Sequence, residues 1–489
     1  MNSRMAAMSL MAAGIAACGT LAADDAGIAR VKAVADAKCS ITNVAAIGTS
    51  GVMRVDFVLV SGPGSDIRCR LELPSPERWN GHFWGVGNSG LAGVIPKVET
   101  YSAVGAAVAT TDLGTRQALR VTRNRRAWPL VVQHDYSWRA TQMMTVYSKR
   151  MVLAYYGKPP RRSYFNGGSC GGRQGFSEAI RFPDEYDGIV VHLPANNAVA
   201  GMLGKWIIWR QTHGDDGRCL FTKEEMRVVA DAAVEYCATR DPKPYAGRFL
   251  ADGRVAEADL DGILELAATK MPSLREGDKI ARLKGLYSPF YGDGECLFLG
   301  FAPGTYLGDW MMKRAPAEKS WREIREFAVR DGAWFNANSA DLSRFFGRGG
   351  KMIVTTGWED QTVSPLPIVE HYERICAREG GIEKTMESCR LFCAPGAAHG
   401  GGRGRATHGE LGSAFARRAL VDWVEKGKAP DRIEIADRPN NATFPVAVYP
   451  GLFVKDDGGE WRRVELPRSK IRLADCMFAC DPSPSPGGN

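Results

Sequence analysis

A serine inside a glycine-rich segment is the first residue of this sequence that could do covalent chemistry. The segment Ser163–Gly175 contains the pattern Gly167-x-Ser169-x-Gly171. A serine on a sharp strand-to-helix turn needs nearly side-chain-free positions two residues before and after it, because the strand and the helix would otherwise collide. A stretch able to form a strand precedes Ser169, and Phe176–Ile180 can continue as a helix. The pattern predicts a nucleophile elbow, with an incidental serine in a glycine-rich turn as the alternative.

A base and an acid for this serine are found later in the chain. A serine hydroxyl is a weak nucleophile until a base takes its proton and an acid orients that base. Among the seven histidines, His399 lies in a glycine-rich loop after a late predicted strand, and His408 is the alternative base. Asp360, with Glu359 beside it, follows the preceding predicted strand. The chain order Ser169, acid, His399 is that of an α/β-hydrolase, so the order predicts a hydrolytic triad.

Backbone N–H groups for an oxyanion hole are expected at two places. The turn aims the first helical N–H groups, beginning with Cys170, at the position where an oxyanion would form. A glycine cluster after the predicted strand His82–Val86 contains Gly87, Asn88 and Ser89. The second donor of this fold comes from a loop after an early strand. The cluster therefore predicts the second donor, although a plain turn explains it equally well.

The order of predicted elements indicates a mostly parallel sheet with helices on both faces. Stretches typical of strands alternate with helical stretches early in the chain and return near its end. Besides the elbow strand, the predicted strands are Val52–Val60, Arg68–Leu73, His82–Val86, Ala103–Thr110, Val190–Pro194, Lys351–Thr356 and Arg390–Ala394. Helices are predicted over 24–38, from His134 to Ala154, and over Leu411–Lys426.

This rhythm changes after about residue 205. Thr222-Lys-Glu-Glu225 and Ser320-Trp-Arg-Glu323 are capping boxes that open helices. No core-strand pattern appears between them. We interpret the region as a lid domain inserted between two strands of the sheet. The predicted organisation is residues 24–205 as the first part of the α/β core, 206–345 as the lid domain, 346–480 as the second part of the core, and 481–489 as a disordered tail.

Longer stretches of the sequence resemble the tannase and feruloyl esterase family. The matching blocks occur in family order and are Tyr164–Phe176, Ala179–Ile189, Gly357–Pro365, Ala394–His399 and Trp423–Asp431. The resemblance implies an α/β-hydrolase fold with a large inserted lid domain, and it selects Asp360 rather than Glu359 as the triad acid. It also implies a serine carboxylic-ester hydrolase that acts on aromatic esters of the feruloyl or galloyl type and requires no cofactor.

The sequence departs from the family pattern beside the nucleophile. Family members commonly carry one cysteine just before the serine and another just after the histidine, and the two form a disulfide. Gly168 and Gly400 stand at these positions. Loss of that link should loosen the histidine loop without abolishing catalysis. Cys170 follows the serine instead, which makes it a candidate free thiol.

A second departure concerns the calcium site that the family lid often contains. The nearest segment offers Asp252, Glu257, Asp259 and Asp261, whose oxygen atoms suit calcium. Because the spacing differs from that of the family motif, a solvated acidic loop is the alternative to a retained calcium site.

Candidate substrate-binding residues lie near the histidine and in the lid. Arg403 and Arg405, beside His399, could orient an anionic or phenolic substrate. Trp310 belongs to a group of lid aromatic residues that could line a pocket for an aromatic substrate. A solvated loop and ordinary core packing are the respective alternatives.

The first residues have the pattern of an export signal. Arg4 is followed by the apolar run Met5–Ala17, and cleavage is expected before Ala23 or Asp24. The run is too short for a comfortable membrane span. The segment ending at Cys18 also resembles a bacterial lipoprotein processing box, so a lipid anchor is the alternative to a periplasmic or secreted protein.

Export gives meaning to the twelve cysteines. Disulfides are the default in oxidising compartments, and the terminal pair Cys476 and Cys480 could bond to each other. Without Cys18 the number is odd, which predicts at least one free thiol.

The overall composition fits an ordinary globular protein. Of the 489 residues, 45% are hydrophobic and 24% are charged. The net charge of +8 is modest and no nucleic-acid-binding motif accompanies it, so a nucleic-acid partner is not indicated. The expected partner is a small aromatic ester, and the oligomeric state is left open. Two alternatives remain: a hydrolase of another bond, such as an amide or a lactone, and a non-catalytic binding protein that has kept the fold.

Overall fold

The computed structural model describes residues 25–47, 51–238, 249–254, 257–311, 315–399, 414–437, 442–456, 458–466, 468, 472–478 and 480. The strands are, in chain order, β1 (Cys39–Ile47), β2 (Val52–Leu59), β3 (Ile67–Leu73), β4 (His82–Val86), β5 (Ala107–Thr111), β6 (Arg162–Gly168), β7 (Gly188–His192), β8 (Phe290–Gly292), β9 (Glu295–Phe298), β10 (Lys351–Gly357), β11 (Cys389–Ala394), β12 (Arg432–Asp437), β13 (Ala442–Ala447), β14 (Gly451–Lys455) and β15 (Trp461–Glu465).

One large sheet dominates the part of the chain that the structure describes. Its nine strands have the order β1-β2-β3-β5-β4-β6-β7-β10-β11. The six neighbouring strands β5, β4, β6, β7, β10 and β11 are paired in parallel. The strands β1, β2, β3 and β5 are paired antiparallel. The remaining strands form the hairpins β8–β9, β12–β13 and β14–β15. The predicted mostly parallel sheet is confirmed.

Helices cover both faces of this sheet. They are α1 (Asp25–Lys32), α2 (Glu99–Ser102), α3 (Arg116–Val121), α4 (Leu130–His134), α5 (Ala140–Tyr156), α6 (Cys170–Arg181), α7 (Ala198–Thr212), α8 (Lys223–Cys237), α9 (Glu257–Lys270), α10 (Lys279–Tyr287), α11 (Gly308–Met311), α12 (Trp321–Phe335), α13 (Ser343–Gly347), α14 (Pro365–Arg378), α15 (Ile382–Met386) and α16 (Ala414–Lys426). None of the helices among the described residues is long and apolar enough to cross a bilayer.

Alternate residues of the parallel strands pack in two separate hydrophobic cores, one on each face of the sheet. Phe165 and Ile189 pack in one core with residues of α5, α6 and α14. Tyr164 and Val190 point to the other face, where Leu420 of α16 covers them. Because successive side chains of a strand point to opposite faces, a strand buried on both faces must be apolar along its whole length. This explains the continuous apolar run of β7.

The chain from α7 to α13 lies between β7 and β10 and carries no strand of the large sheet within the described residues. Thr222 forms the predicted capping box: its Oγ1 accepts from the Glu225 N–H at 3.1 Å, and its own N–H donates to Glu225 Oε2 at 2.7 Å. At the second box, the Glu323 carboxylate accepts from the N–H of Lys319 instead of Ser320. The limits 206–345 remain a prediction, and α7 begins before them at Ala198.

Two local predictions differ from the structure. The helix expected over 24–38 ends at Lys32, and the chain then forms the edge strand β1, which the sequence did not predict. The long helix expected from His134 is interrupted by a π-helical turn, Asp135–Arg139. The buried carboxylate of Asp135 accepts hydrogen bonds from the hydroxyls of Ser61 and Ser65 at 2.6 and 2.7 Å, which accounts for the turn being fixed at this position.

The last described residues pack against both the insertion and helix α14. Asp475–Phe478 forms a single helical turn beside α12. The carbonyl oxygen of Met477 accepts hydrogen bonds from the side-chain amides of Asn197 and Asn338, both at 2.9 Å. The end of the predicted second core segment therefore contacts both the insertion and the core helix α14, and the limits 346–480 remain a prediction. The expected export signal and the tail 481–489 lie outside the described residues.

Candidate active site

Ser169 lies on the turn between β6 and α6. Its φ of 56° and ψ of −118° place a non-glycine residue in a sparsely populated backbone region. Two hydrogen bonds hold the turn: the Ser169 N–H donates to the carbonyl of His192, and the Ala195 N–H donates to the carbonyl of Ser169, both at 2.9 Å. The backbone conformation is thus fixed by the chain that follows the neighbouring strand β7.

The glycines around Ser169 allow the backbone segments to come close together. A Cβ atom on Gly167 would lie 2.4 Å from the carbonyl oxygen of Gly171. A Cβ atom on Gly171 would lie 2.8 Å from the carbonyl oxygen of Asn88. Real Cβ atoms do not approach backbone atoms this closely, so these two positions require glycine. This is the steric reason inferred from the sequence pattern.

The structure brings together the three residues predicted to form a triad. His399 Nε2 lies 3.1 Å from Ser169 Oγ, and His399 Nδ1 lies 2.8 Å from Asp360 Oδ2. Each residue follows the carboxyl end of a parallel strand, β6, β10 or β11, so the three meet at one edge of the sheet. These distances permit a proton to pass from the serine to the imidazole while the carboxylate holds the ring.

Asp360 is completely buried and its second oxygen is also engaged. Oδ1 accepts from the N–H groups of Thr362 and Val363, both at 2.8 Å. The neighbouring side chain of Gln361 fixes the histidine loop by accepting from the His399 N–H at 3.1 Å. The acid is therefore oriented from both sides. Of the alternatives, Glu359 is not the residue that contacts His399, and His408 lies outside the described residues.

The candidate oxyanion-hole amides differ in their availability. The Gly87 N–H donates to the carbonyl of Asn166 at 3.0 Å, which extends the pairing of β4 with β6. Gly87 is therefore not the donor, contrary to the sequence prediction. The structure describes no hydrogen-bond acceptor for the N–H groups of Asn88, Ser89 and Cys170 within the residues it covers. Cys170 is the first residue of α6, and the N–H groups in the first turn of a helix lack intrahelical acceptors.

The side chain of Cys170 points away from this turn into a buried polar cluster. Its Sγ lies 3.3 Å from Arg173 Nη2 and 3.5 Å from Tyr136 Oη. Burial opposes ionisation of the thiol, but the Arg173 guanidinium and hydrogen bonds to Arg173, Tyr136 and Gln174 outweigh burial and lower the pKa of Cys170. The nucleophile is thus followed by a cysteine that is held against a buried cation.

Packing against a neighbouring side chain explains why residue 168 is a glycine, and the sequence did not reveal this contact. A Cβ atom at this position would lie 2.4 Å from both Cδ2 and Nε2 of the His192 ring. The imidazole of His192 therefore occupies the space that a cysteine side chain at residue 168 would need. Gly400, the other position of the family disulfide, lies outside the described residues.

Ser169 opens into a cavity of about 460 Å³. Residues from the loop 123–126, α7, the segment 315–318 and the loop 361–364 contribute to its walls. Trp310 lines the cavity, as predicted, and its Nε1 donates to Thr362 Oγ1 at 3.2 Å. Arg403 and Arg405 lie outside the described residues. The arginines of the loop 123–126 also line the cavity, and no motif in the sequence marks them.

Two of the aspartates considered for calcium have cationic partners. Both oxygens of Asp252 accept from the guanidinium of Arg254, and Asp261 lies 2.6 Å from Lys284 Nζ. No group of three or more His, Cys, Asp or Glu side chains within the described residues is arranged to hold a metal ion. The described residues are therefore not arranged as a calcium site. Calcium binding remains a prediction.

Among the described residues, ten cysteines are free thiols, including Cys476 and Cys480. The pairing suggested for those two residues is therefore not present. Cys480 Sγ instead lies 3.4 Å from the carbonyl oxygen of Asn336. The ten are Cys39, Cys69, Cys170, Cys219, Cys296, Cys376, Cys389, Cys393, Cys476 and Cys480.

Solved structures of two esterases have the same fold. Feruloyl esterase B from Aspergillus oryzae superposes with a TM-score of 0.75, covering 90% of this chain and 100% of that structure at 21% identity. Tannin acyl hydrolase from Aspergillus niger superposes with a TM-score of 0.69, covering 90% and 94% of the two chains at 14% identity. Together with the observed sheet, they confirm the predicted α/β-hydrolase fold.

Sequence comparison leads to the same group of proteins. A probable feruloyl esterase B-2 from Aspergillus flavus is 27% identical over 442 residues, which span 81% of this chain and 82% of the relative. An uncharacterised esterase from Xanthomonas campestris is 28% identical over 473 residues, 80% of each chain. The family model for tannase and feruloyl esterase matches residues 51–257 and 315–461, more than half of the chain. The protein therefore belongs to the tannase and feruloyl esterase family and is a carboxylic ester hydrolase.

Proposed function

We propose that this protein is an exported serine esterase that hydrolyses aromatic esters through Ser169, His399 and Asp360. The observation that carries the proposal is the hydrogen-bonded series from Ser169 Oγ to His399 Nε2 at 3.1 Å and from His399 Nδ1 to Asp360 at 2.8 Å. Ser169 lines a cavity large enough for a small ester. The names of a relative and of a solved structure point to feruloyl esters and to tannins, respectively.

The reaction follows from the roles of these atoms. Ser169 Oγ attacks the ester carbonyl while His399 Nε2 takes its proton, and Asp360 stabilises the imidazolium. The N–H of Cys170, with that of Asn88 or Ser89, donates to the oxyanion. His399 then protonates the leaving alcohol, which leaves an acyl-serine. A water molecule, deprotonated by His399, attacks this acyl group, releases the carboxylic acid and regenerates Ser169.

Aromatic side chains around the cavity support an aromatic substrate. They can hold a flat ring by stacking or edge-to-face contact. Those in the described wall are Tyr136, Phe298, Phe301, Trp310, Phe327 and Phe335.

Export is proposed from the first residues of the sequence. Arg4 and the apolar run Met5–Ala17 have the pattern of a signal peptide. Fractionation of the native host, with detection of the N-terminal residue of the mature protein, tests this part. Retention of Met1 in the cytoplasmic fraction would contradict it, and a lipid on Cys18 would select the anchored form.

The function is tested by hydrolysis of methyl ferulate, methyl gallate, a p-nitrophenyl ester and a matched anilide. Wild-type protein is expected to release acid from an aromatic ester. Ser169→Ala should lower kcat by about 10⁴-fold or more, because the nucleophile is removed. An unchanged thermal transition serves as the folding control. Ester activity that survives in Ser169→Ala would overturn the mechanism, and cleavage of the anilide alone would overturn the assignment of the ester bond.

A further inference from the structure

The charged side chains around the cavity are strongly unequal in sign. Those in the described wall are, on the cationic side, Arg123, Arg125, Arg126, Arg173 and Lys205, and, on the anionic side, Glu318. A cavity with this balance attracts anions and disfavours cations. The triad does not require such a field, because a neutral ester carries no net charge.

Two of these cations already have a function in the fold. Arg126 lies 3.6 Å from Glu318. Arg173 is almost completely buried and donates to the carbonyls of Tyr136 and Ser137 at 2.8 and 3.0 Å. Their positions are therefore explained by neighbouring atoms of the protein.

Arg125 is different. It is partly buried, yet its guanidinium makes no hydrogen bond or ion pair with any residue that the structure describes. Its close contacts are with aromatic faces: its Cζ lies 5.0 Å from the centre of the Phe335 ring and 5.8 Å from that of Tyr136. A guanidinium has five N–H donors in a planar fork. Because Arg125 lines the cavity and is only partly buried, these donors are available to an anionic acceptor from outside the protein.

Tyr136 relates Arg125 to the nucleophile. The hydroxyl of Tyr136 lies 3.2 Å from the carbonyl oxygen of Gly90 and 3.5 Å from Sγ of Cys170, the residue after Ser169. The ring of the same tyrosine faces Arg125. One aromatic side chain thus contacts both the thiol of Cys170 and the guanidinium of Arg125. Ser169 and Arg125 line the same cavity, so a substrate with its ester carbonyl at Ser169 can direct another substituent towards Arg125.

We propose that the substrate is an aromatic ester that carries a carboxylate, and that Arg125 binds this carboxylate. The inference rests on the proposed esterase function and specifies its substrate class. A carboxylate matches the fork of an arginine and can accept two parallel hydrogen bonds. The charge can belong to the acid portion or to the alcohol portion of the ester, and the two sources are separated by experiment.

The test uses three cinnamate esters with the full-length protein. Methyl cinnamate is neutral, methyl 4-carboxycinnamate carries the charge on the acid portion, and carboxymethyl cinnamate carries it on the alcohol portion. Wild-type protein is expected to have a higher kcat/KM for one of the two charged esters than for methyl cinnamate. The preferred ester identifies the charged portion.

Arg125→Gln should reduce this preference at least tenfold, mainly through KM, and Arg125→Lys should retain part of it. Arg120→Gln is the matched control, because Arg120 is exposed on α3 and contacts Gln117 rather than the cavity. The preference should also weaken with added salt. An equal loss on all three esters in Arg125→Gln, or the absence of a preference in the wild type, would overturn the proposal.

A binding measurement separates this proposal from the esterase function. Calorimetric titration of the dianion of 4-carboxycinnamic acid and of cinnamate needs no turnover. Wild-type protein should bind the dianion more tightly, and Arg125→Gln should lose that difference. If all three esters are inert but the difference is observed, the esterase proposal fails and the carboxylate site stands. If the esters are hydrolysed without the difference, the carboxylate site fails alone.

Discussion

The edge of the sheet that carries Ser169 and the insertion that covers it are built differently. At the sheet edge, hydrogen-bonded strands and bare backbone contacts fix the position of each reacting group. In the insertion, side chains from several separate segments form the cavity wall. The first region can change little without losing the reaction, whereas the second can exchange side chains and alter the substrate. Three predictions test this contrast.

The largest effect is expected at Gly171, in the rigid region. A Cβ atom in Gly171→Ala would meet the backbone of Gly87 and Asn88 at 2.8 to 3.1 Å. Because backbone atoms on both sides cannot yield, we expect a loss of stability of at least about 3 kcal/mol together with a loss of activity. Urea unfolding measures the loss.

Gly347 provides the matched control for that measurement. It lies at the end of α13, and a Cβ atom there would meet nothing within 4 Å. Gly347→Ala should therefore change stability by less than about 1 kcal/mol. Equal unfolding midpoints for the two variants would contradict the idea that the sheet edge is the less tolerant region.

The second effect concerns His371, which joins the two regions. Its Nδ1 lies 2.7 Å from Asn196 Nδ2, and its Nε2 lies 2.9 Å from the carbonyl of Ser339. Burial lowers the pKa of His371 to about 4, whereas an unfolded histidine has a pKa of about 6.5. Between these values the unfolded chain binds a proton that the folded protein does not. Stability from this residue is therefore complete above pH 6.5 and falls as the pH drops towards 4.

The expected loss between pH 7 and pH 4 is about 3 kcal/mol. It is measured as the difference in pH dependence of unfolding between the wild type and His371→Gln, since other groups titrate in both proteins. A weaker dependence of the free energy of unfolding on pH in the variant supports the assignment of this effect to His371. Identical slopes would mean that His371 binds a proton in the folded protein and does not hold Asn196 as a neutral ring.

The smallest effect is expected in the insertion, at the start of α8. Thr222→Ala removes the acceptor of the Glu225 N–H and should cost about 1 kcal/mol. Thr222→Ser keeps the hydroxyl and should cost less. Hydrolysis of methyl cinnamate is expected to be unchanged in both variants. A large fall in kcat with Thr222→Ala would show that the insertion positions the reacting groups more tightly than the contrast implies.

The sequence was most informative where neighbouring residues determine the structure. The glycine pattern around Ser169 is local and steric, and the apolar runs of β7 and β10 need no distant information. The order of Ser169, Asp360 and His399 follows from their strands, so the site could be proposed before its geometry was known.

The remaining features depend on contacts between distant segments. Arg125 becomes notable because Tyr136 and Phe335 come to it from elsewhere in the chain, and Gly87 loses its free N–H by pairing with the next strand. The hairpin β12–β13 was missed because Pro445 lies within β13, and a proline inside a run argues against a strand. No local sequence pattern predicts these contacts.

The hydrogen bonds of Met477 also bear on the order of synthesis. Its carbonyl is the shared acceptor for Asn197 and Asn338, two buried residues near the two ends of the insertion. The ribosome makes both asparagines long before it makes this acceptor. A chain cut short before Leu473 would contain Ser169, Asp360 and His399, yet it would leave two amides unsatisfied beside the unfinished cavity. The acceptor for these two amides is thus synthesised only after the three catalytic residues.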